Sequence, residues 1–333
     1  MKSRFLRFVS FFLLSILLIT ACNGATTVTS RPEQPPLRVT YNLWSGNFPI
    51  AIAHEKGFFQ EQGVKVEPVY IENYLQSISA FSAGKSDAIA TSMGSIMNII
   101  GKNPDVQIIL ATDQSAGADV LVVQSDIKSM NDLKGKRIGT KLGDFGELFI
   151  TTLLEKNRLT TDDVTLVNVE PESVPARLES GDIQAGNTWE PYTSQAVKAG
   201  AQVLVSTKQT PGLLPNVIAF RTSVLRDRPK DIQAFIRAWF QAQDYWKANL
   251  EESKTLIAKT LSIKPEEVST DGVQLFTLQD NLKAFTPGST AESLYHTAKL
   301  YADFYIRTGG LNTAPDIQKL LDPSFVQQLH PGN

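Results

Sequence analysis

Beyond residue 36, short and nearly continuous apolar runs alternate with longer stretches whose apolar residues recur every three or four positions. The short runs predict strands at 37–43, 64–70, 87–91, 106–112, 118–125, 136–141, 163–169, 183–188, 201–207 and 216–222. The longer stretches predict helices, among them 49–63, 73–84, 146–157, 174–181 and 191–200, several of them closed by glycine. Strand and helix in steady succession mark βαβ units on a parallel sheet, an α/β fold. After 222 the helical period takes over almost entirely, at 231–250, 253–261, 265–276 and 293–309.

The rhythm runs twice, and the two halves echo each other. SAGKSDAIATS (82–92) aligns with LESGDIQAGNT (178–188), Gly84 on Gly181 and Ala88 on Ala185. In each, a helix ends at glycine and a buried strand follows a tight polar turn. Two similar α/β lobes are therefore expected, joined by crossing β segments near 119–124 and 216–221, with a cleft between them. The first lobe is expected to take 37–122 and 217–333, its helical end packing back on it, and the second 123–216.

Ahead of this pattern the chain reads differently. Lys2, Arg4 and Arg7 precede an apolar run from Phe8 to Ile19, and Thr20-Ala21 then leads to Cys22, the one cysteine of the chain. The run is short for a membrane span of ~20 residues and reads as a secretory signal. Its close resembles the lipobox of bacterial lipoproteins, in which the cysteine becomes the lipidated first residue. The expectation is a signal peptide over 1–21, lipidation at Cys22, and a polar, proline-rich tether over 22–36. Cleavage would remove three of the 32 basic residues and none of the 34 acidic ones, moving the net charge from −2 to −5. Nothing in this charge balance suggests nucleic acid. A single cysteine excludes a disulfide within the chain and any Cys-based metal site.

In open α/β sheets ligands bind beyond the carboxyl ends of the strands, where helices begin. Those positions carry the unusual residues of this chain. The first strand leads to Trp44, Asn47 and Phe48, with Pro49 in the first turn of the next helix; the third leads to Ser92 and Met93; the fourth to Asp113, Ser115 and Asp119. In the second half, Asp144 and Phe145 follow one strand, and Asn187, Trp189, Glu190 and Tyr192 follow another, with Pro191 opening the helix. These fourteen are the candidate ligand-binding residues. Asp144 with Glu147 also fits a capping box. Trp239 and Trp246, at helical spacing among Phe235, Ala238 and Tyr245, read as core. Catalysis has little support: His54, His296 and His330 form no metal or nucleophile motif, and neither a P-loop nor a nucleophile elbow occurs. No enzyme, cofactor or metal is expected.

YNLWSGNFPIAIAHEKGFFQEQGVKVE (41–67), with its tryptophan and proline ahead of A-x-x-x-G-F-F, resembles the opening of a family of ABC-importer solute-binding proteins. That family serves nitrate, sulfonate, taurine and thiamine-pyrimidine uptake (NMT1/THI5-like). DQSAGADVLVV (113–123), DLKGKRIGT (132–140) and WEPY (189–192) follow in the family's order, while Gln184 stands where members often carry aspartate. The resemblance implies a type II periplasmic-binding-protein fold whose lobes close on a small solute. It implies delivery of that solute to permease subunits served by a cytoplasmic ATPase; with Cys22 lipidated, the expectation is a monomer tethered to the extracytoplasmic face of the bacterial cell membrane. Asp113, Asp119, Asp144 and Glu190 concentrate negative charge at the strand ends, and Lys141 is the one cation in those loops. The expected solute is an amine-bearing or N-heterocyclic compound or a sulfonate, of the thiamine-pyrimidine-precursor or taurine/alkanesulfonate type, with Glu190 selecting a positive or N–H-bearing group. A nitrate- or bicarbonate-type anion binder, a thiamine-pyrimidine synthase-like enzyme of the same fold, and a ligand sensor for a surface receptor are the alternatives.

Overall fold

The computed structural model describes residues 34–103 and 105–329; the signal segment, Cys22 and most of the tether lie outside them. Among the described residues eleven strands form: β1 (Leu37–Tyr41), β2 (Val66–Tyr70), β3 (Ala88–Ser92), β4 (Val106–Ser115), β5 (Val120–Val123), β6 (Arg137–Thr140), β7 (Thr165–Asn168), β8 (Ala185–Thr188), β9 (Gln202–Ser206), β10 (Pro215–Arg221) and β11 (Val273–Leu275). They make two sheets, one in the order β11-β4-β10-β3-β1-β2 and the other β7-β6-β8-β5-β9. β1 to β3 run parallel, as do β6 to β8. Into each set a strand arrives from the other sheet and pairs antiparallel: β10 against β3 and β4, β5 against β8 and β9. The sheets are thus mixed, where the βαβ rhythm alone predicts parallel ones.

The internal echo extends to single hydrogen bonds. Gly84 and Gly181 both take positive φ (79° and 76°), ending their helices in the left-handed conformation that glycine adopts without penalty. Asp87 Oδ2 then accepts from the Arg38 amide at 2.8 Å, and Gln184 Oε1 accepts from the Arg137 amide at 3.1 Å. Their backbone carbonyls accept from Arg221 and from Gln124, each at 3.0 Å, pinning the inserted strand in each sheet. Gln184 therefore does the work of Asp87 with an amide oxygen.

The chain crosses between sheets over 116–119 and 207–214. Because Val120–Val123 and Pro215–Arg221 already pair in their new sheets, both crossings lie slightly upstream of the expected boundaries. Thr207 ties them together: its Oγ1 lies 2.8 Å from Ser115 Oγ and accepts from the Gly117 amide at 2.7 Å, while its amide donates to the Asp119 carbonyl at 3.0 Å. Gly272 adds a third strut, its carbonyl accepting from the amides of Ala116 and Ala118 at 2.7 and 3.2 Å.

Two helix expectations change. The stretch 49–63 is two helices, Phe48–Glu55 and Phe58–Glu61, broken at Gly57 with φ 77°. The stretch 265–276 is a single 3₁₀ turn, Pro265–Glu267, followed by β11, because its residues complete the open edge of β4. The long helix Pro229–Ala248 packs on the first lobe, where Trp239 is fully buried, Trp246 meets Phe48 at 5.7 Å and Phe235 stacks on Phe59 at 5.5 Å. Leu294–Arg307, by contrast, touches helices of both lobes.

Past β11 the β4 edge is continued by the Asn281 side chain and then by a bridge between Ile108 and Leu321. Buried Asn281 accepts from the Ala111 amide at 2.8 Å and donates to the Ala111 carbonyl at 2.9 Å. Asn281→Leu keeps the branched shape of the side chain and leaves both backbone groups unpaired. Urea denaturation is expected to show a loss of about 3 kcal/mol, since each orphaned buried group costs roughly 1–3 kcal/mol.

Candidate functional site

Where β1 ends, Asn42 to Trp44 lead into a 3₁₀ turn, Ser45–Asn47, and then the helix that carries Pro49 in its first turn. This path folds Trp44 over Asp113 at the far end of β4. Asp113 Oδ1 accepts from Trp44 Nε1 at 3.0 Å and from Asn216 Nδ2 at 2.9 Å, and Oδ2 accepts from Thr112 Oγ1 at 2.7 Å. The backbone passes so close above that a Cβ on Gly46 would lie 1.8 Å from Asp113 Oδ2. Asn47 Nδ2 donates to Asn42 Oδ1 at 3.0 Å, fixing the turn.

The second lobe brings Asp144, Phe145 and Trp189 against this face. Asp144 ends an extended approach and accepts from its neighbour's amide, Phe145 N–H, at 2.7 Å, while Glu147 reaches back to the Gly143 amide at 2.6 Å. The capping box is thereby shifted by one residue, which frees the Asp144 carboxylate to face the other lobe. There it accepts from Ser95 Oγ at 3.0 and 3.2 Å and lies 3.5 Å from Tyr74 OH. Tyr74 in turn contacts Ser92 at 3.1 Å and, more closely, Ser95.

Four aromatic rings from both lobes meet at this point. Trp189 stands edge-on to Trp44 at 6.1 Å and packs against Tyr74 and Phe145, each at 5.8 Å; Tyr74 and Phe145 are 5.9 Å apart. Between them lies a cavity of about 20 Å³, room for about one water, lined by Asn42, Thr91, Ser92, Asp119, Leu214 and Asn216 together with these rings. No lysine or arginine is among the lining residues. Thr91 Oγ1, Asp119 Oδ1 and Trp189 Nε1, all buried, have no hydrogen-bond partner within the protein. Unpaired donors and acceptors are costly in such a place, and their convergence on one cavity gives it the character of a binding site.

Burial dominates the electrostatics. It pushes Asp113 up to about 6 against the hydrogen bonds from Thr112, Asn216 and Trp44, and Asp144 up to about 6 against those from Phe145 and Ser95. Asp119 goes to about 7, raised by burial and by the Asp113 charge. Burial raises the Tyr192 phenol, and the charges of Glu172, Glu72 and Glu267 raise it further, so negative potential extends beyond the cavity.

The candidate residues separate into groups. Trp44, Ser92, Asp119, Phe145 and Trp189 line the cavity, and Asp113 and Asp144 buttress it. Ser115 belongs to the crossing, and Asn187 spans to the Val120 carbonyl at 3.2 Å beside it. Phe48 and Met93 are core. Glu190, joined to Pro191 by a cis peptide, accepts from the Ser194 amide at 3.2 Å at the start of its own helix, and Tyr192 begins that helix behind Pro191. Asn42, Tyr74, Thr91, Leu214 and Asn216 were not among the candidates. Tyr74 follows β2 as Trp44 follows β1, so the strand-end rule extended to β2 finds it.

Residues 30–262 match the model of the NMT1-like family. A putative aliphatic sulfonates-binding protein of Bacillus subtilis is 25% identical over 326 residues, covering 94% of this chain and 93% of its own. The structure resembles the periplasmic aliphatic sulphonate binding protein SsuA of Escherichia coli (TM-score 0.71, 18% identity, 88% of this chain and 94% of that one). It is equally similar to the periplasmic nitrate-binding protein NrtA of Synechocystis (TM-score 0.71, 15% identity, 89% and 88%). With two sheets exchanging strands at paired crossings, the architecture is the two-lobed type II periplasmic-binding-protein fold.

The raised carboxyls set a pH dependence. Each binds its proton more tightly folded than at its ordinary value of 3.8, so their contribution to stability is full below that value and is lost as pH rises through about 6 to 7. The melting temperature contributed by these groups is expected to fall between pH 5 and pH 8. Asp119→Asn narrows that fall, a difference read by differential scanning fluorimetry of both proteins at the two pH values.

Proposed function

The chain belongs to the NMT1-like family, and on that premise we propose that it is the solute-binding component of an ABC importer, closing its two lobes on a small nitrogen-bearing organic molecule. The observation that carries the reading is the cavity: four aromatic rings drawn from both lobes, a carboxylate with a free oxygen, and no cationic side chain among the lining residues. A protonated amine or N-heterocycle suits such a box once the lobes part enough to admit more than the volume of about one water, since its charge is attracted by ring faces and its N–H groups find Asp119. Trp189 Nε1 and Thr91 Oγ1 supply further polar contacts that orient it.

Closure follows from the division of these groups between lobes. Trp44, Tyr74 and Thr91 stand on the first, Phe145 and Trp189 on the second. A solute touching both sets binds the closed form more tightly than the open one, and that difference drives the equilibrium. The closed surface is then what the permease recognises. Lipidation at Cys22 would hold the protein at the outer face of the cell membrane, where two or more acyl chains make anchoring stable. The sulfonate and nitrate named for the similar proteins are anions. The buried carboxylates here favour the nitrogenous class over them.

A thermal-shift screen of the purified protein tests the class: amines and N-heterocycles are expected to raise the melting temperature. Stabilisation by nitrate or alkanesulfonates alone would overturn the reading. Trp189→Phe keeps a ring and loses the N–H. It is expected to weaken binding of a hit about tenfold, or about 1.4 kcal/mol, while Glu190→Gln leaves affinity within about twofold because that carboxylate faces its own helix. Calorimetric titration of the two variants checks the contrast.

A further inference from the structure

Asp144 stands where an anionic head group would be expected to bind. The helix Met93–Ile100 begins beside the cavity, with Ser92 as its cap and Ser95 in its first turn. The positive dipole end of a helix start attracts anions; in this one the Ser95 amide is capped by Ser92 Oγ, and the Ser95 hydroxyl is the donor turned toward the other lobe. Here Tyr74 adds a phenol above it, in contact with both serines, and Ser92 and Tyr74 also line the cavity. The cavity is a built site in its own right, since Thr91 Oγ1, Asp119 Oδ1 and Trp189 Nε1 are buried and unpartnered around it.

The carboxylate held by this cradle is the protein's own. Asp144 comes from the opposite lobe, is buried, and takes the Ser95 hydroxyl at 3.0 Å; Tyr74 then donates to Ser95, so a short relay runs from phenol to serine to carboxylate. The fit is tight from both sides. A Cβ on Gly94 would meet Phe145 Cβ at 3.0 Å and Tyr301 Cε1 at 2.9 Å, so glycine is what lets the two lobes come this close. A tethered carboxylate competes at high effective concentration, and a second anion beside it would face like charge.

We infer that Asp144 is a specificity-determining residue, which fills the first lobe's anion cradle when the lobes meet and so excludes solutes with a free sulfonate, phosphate or carboxylate head. The inference rests on the reading of this cleft as the solute site. It goes beyond that reading in assigning the exclusion to one side chain. The neutral variants then acquire what the parent lacks: with the carboxylate gone, the serines, the phenol and the helix start are left to an incoming anion.

Calorimetric titration of the full-length protein, of Asp144→Asn and of Asp144→Ala with methanesulfonate tests this. Each variant is expected to bind methanesulfonate at least tenfold more tightly than the parent. Asp144→Asn preserves volume, and circular dichroism melts establish that each variant is folded. Binding of methanesulfonate by the parent as tight as that of a folded variant overturns the inference, as does a folded variant that gains nothing. Submillimolar binding by the parent overturns it without recourse to any variant. A parallel titration of the parent with an amine or aminopyrimidine reports on the solute class separately, so failure of one reading leaves the other standing.

Discussion

Three carboxylates are buried in and around a cavity whose lining residues include no cation, and most of the cleft is organised around that constraint. A buried charge must be hydrogen-bonded, paired or neutralised. Asp113 takes the first course, with three donors arranged by β4, β10 and the turn after β1. Asp144 does so across the cleft, drawing on Ser95 of the other lobe. Asp119 is left with one oxygen free and an affinity for protons near neutrality. The three together give the cleft its concentration of acidic groups.

The crossings give this arrangement its geometry. Thr207 bonds to Ser115, Gly117 and Asp119, so Asp119 is fixed at the base of the cleft where the two segments touch. Flanking it, the lobes are built to one plan, down to Asp87 and Gln184 holding the same turn with different oxygens. Each lobe therefore presents its strand ends to the other. A solute-binding protein needs that: recognition groups on two bodies, and a small region about which they can move.

The lobes also differ in what they offer. The first supplies hydroxyls and a helix start, the second a carboxylate aimed at them. Where a partner lobe presents apolar or neutral groups, the same first lobe would be free to take an anion. Fold similarity to sulfonate- and nitrate-binding proteins does not by itself carry their ligands to this chain, because ligand choice is set by the residues at the strand ends and not by the fold.

Periodicity sufficed for the strand order in time, the paired glycine turns and the residues at the strand ends, because each is set by neighbours within a few positions. Trp44, Trp189 and the aspartates could be picked out for that reason. What met what was decided by contacts between residues far apart in the chain. Asp144 turned outward to Ser95, 49 residues away, since Glu147 took the Gly143 amide, whereas Glu190 turned inward to Ser194. Residues 265–276 became a turn and a strand because β4 had an unpaired edge to fill, a need no local helical period can express. Local rules place side chains at the ends of strands; the packing of one lobe against the other decides which of them face the solute.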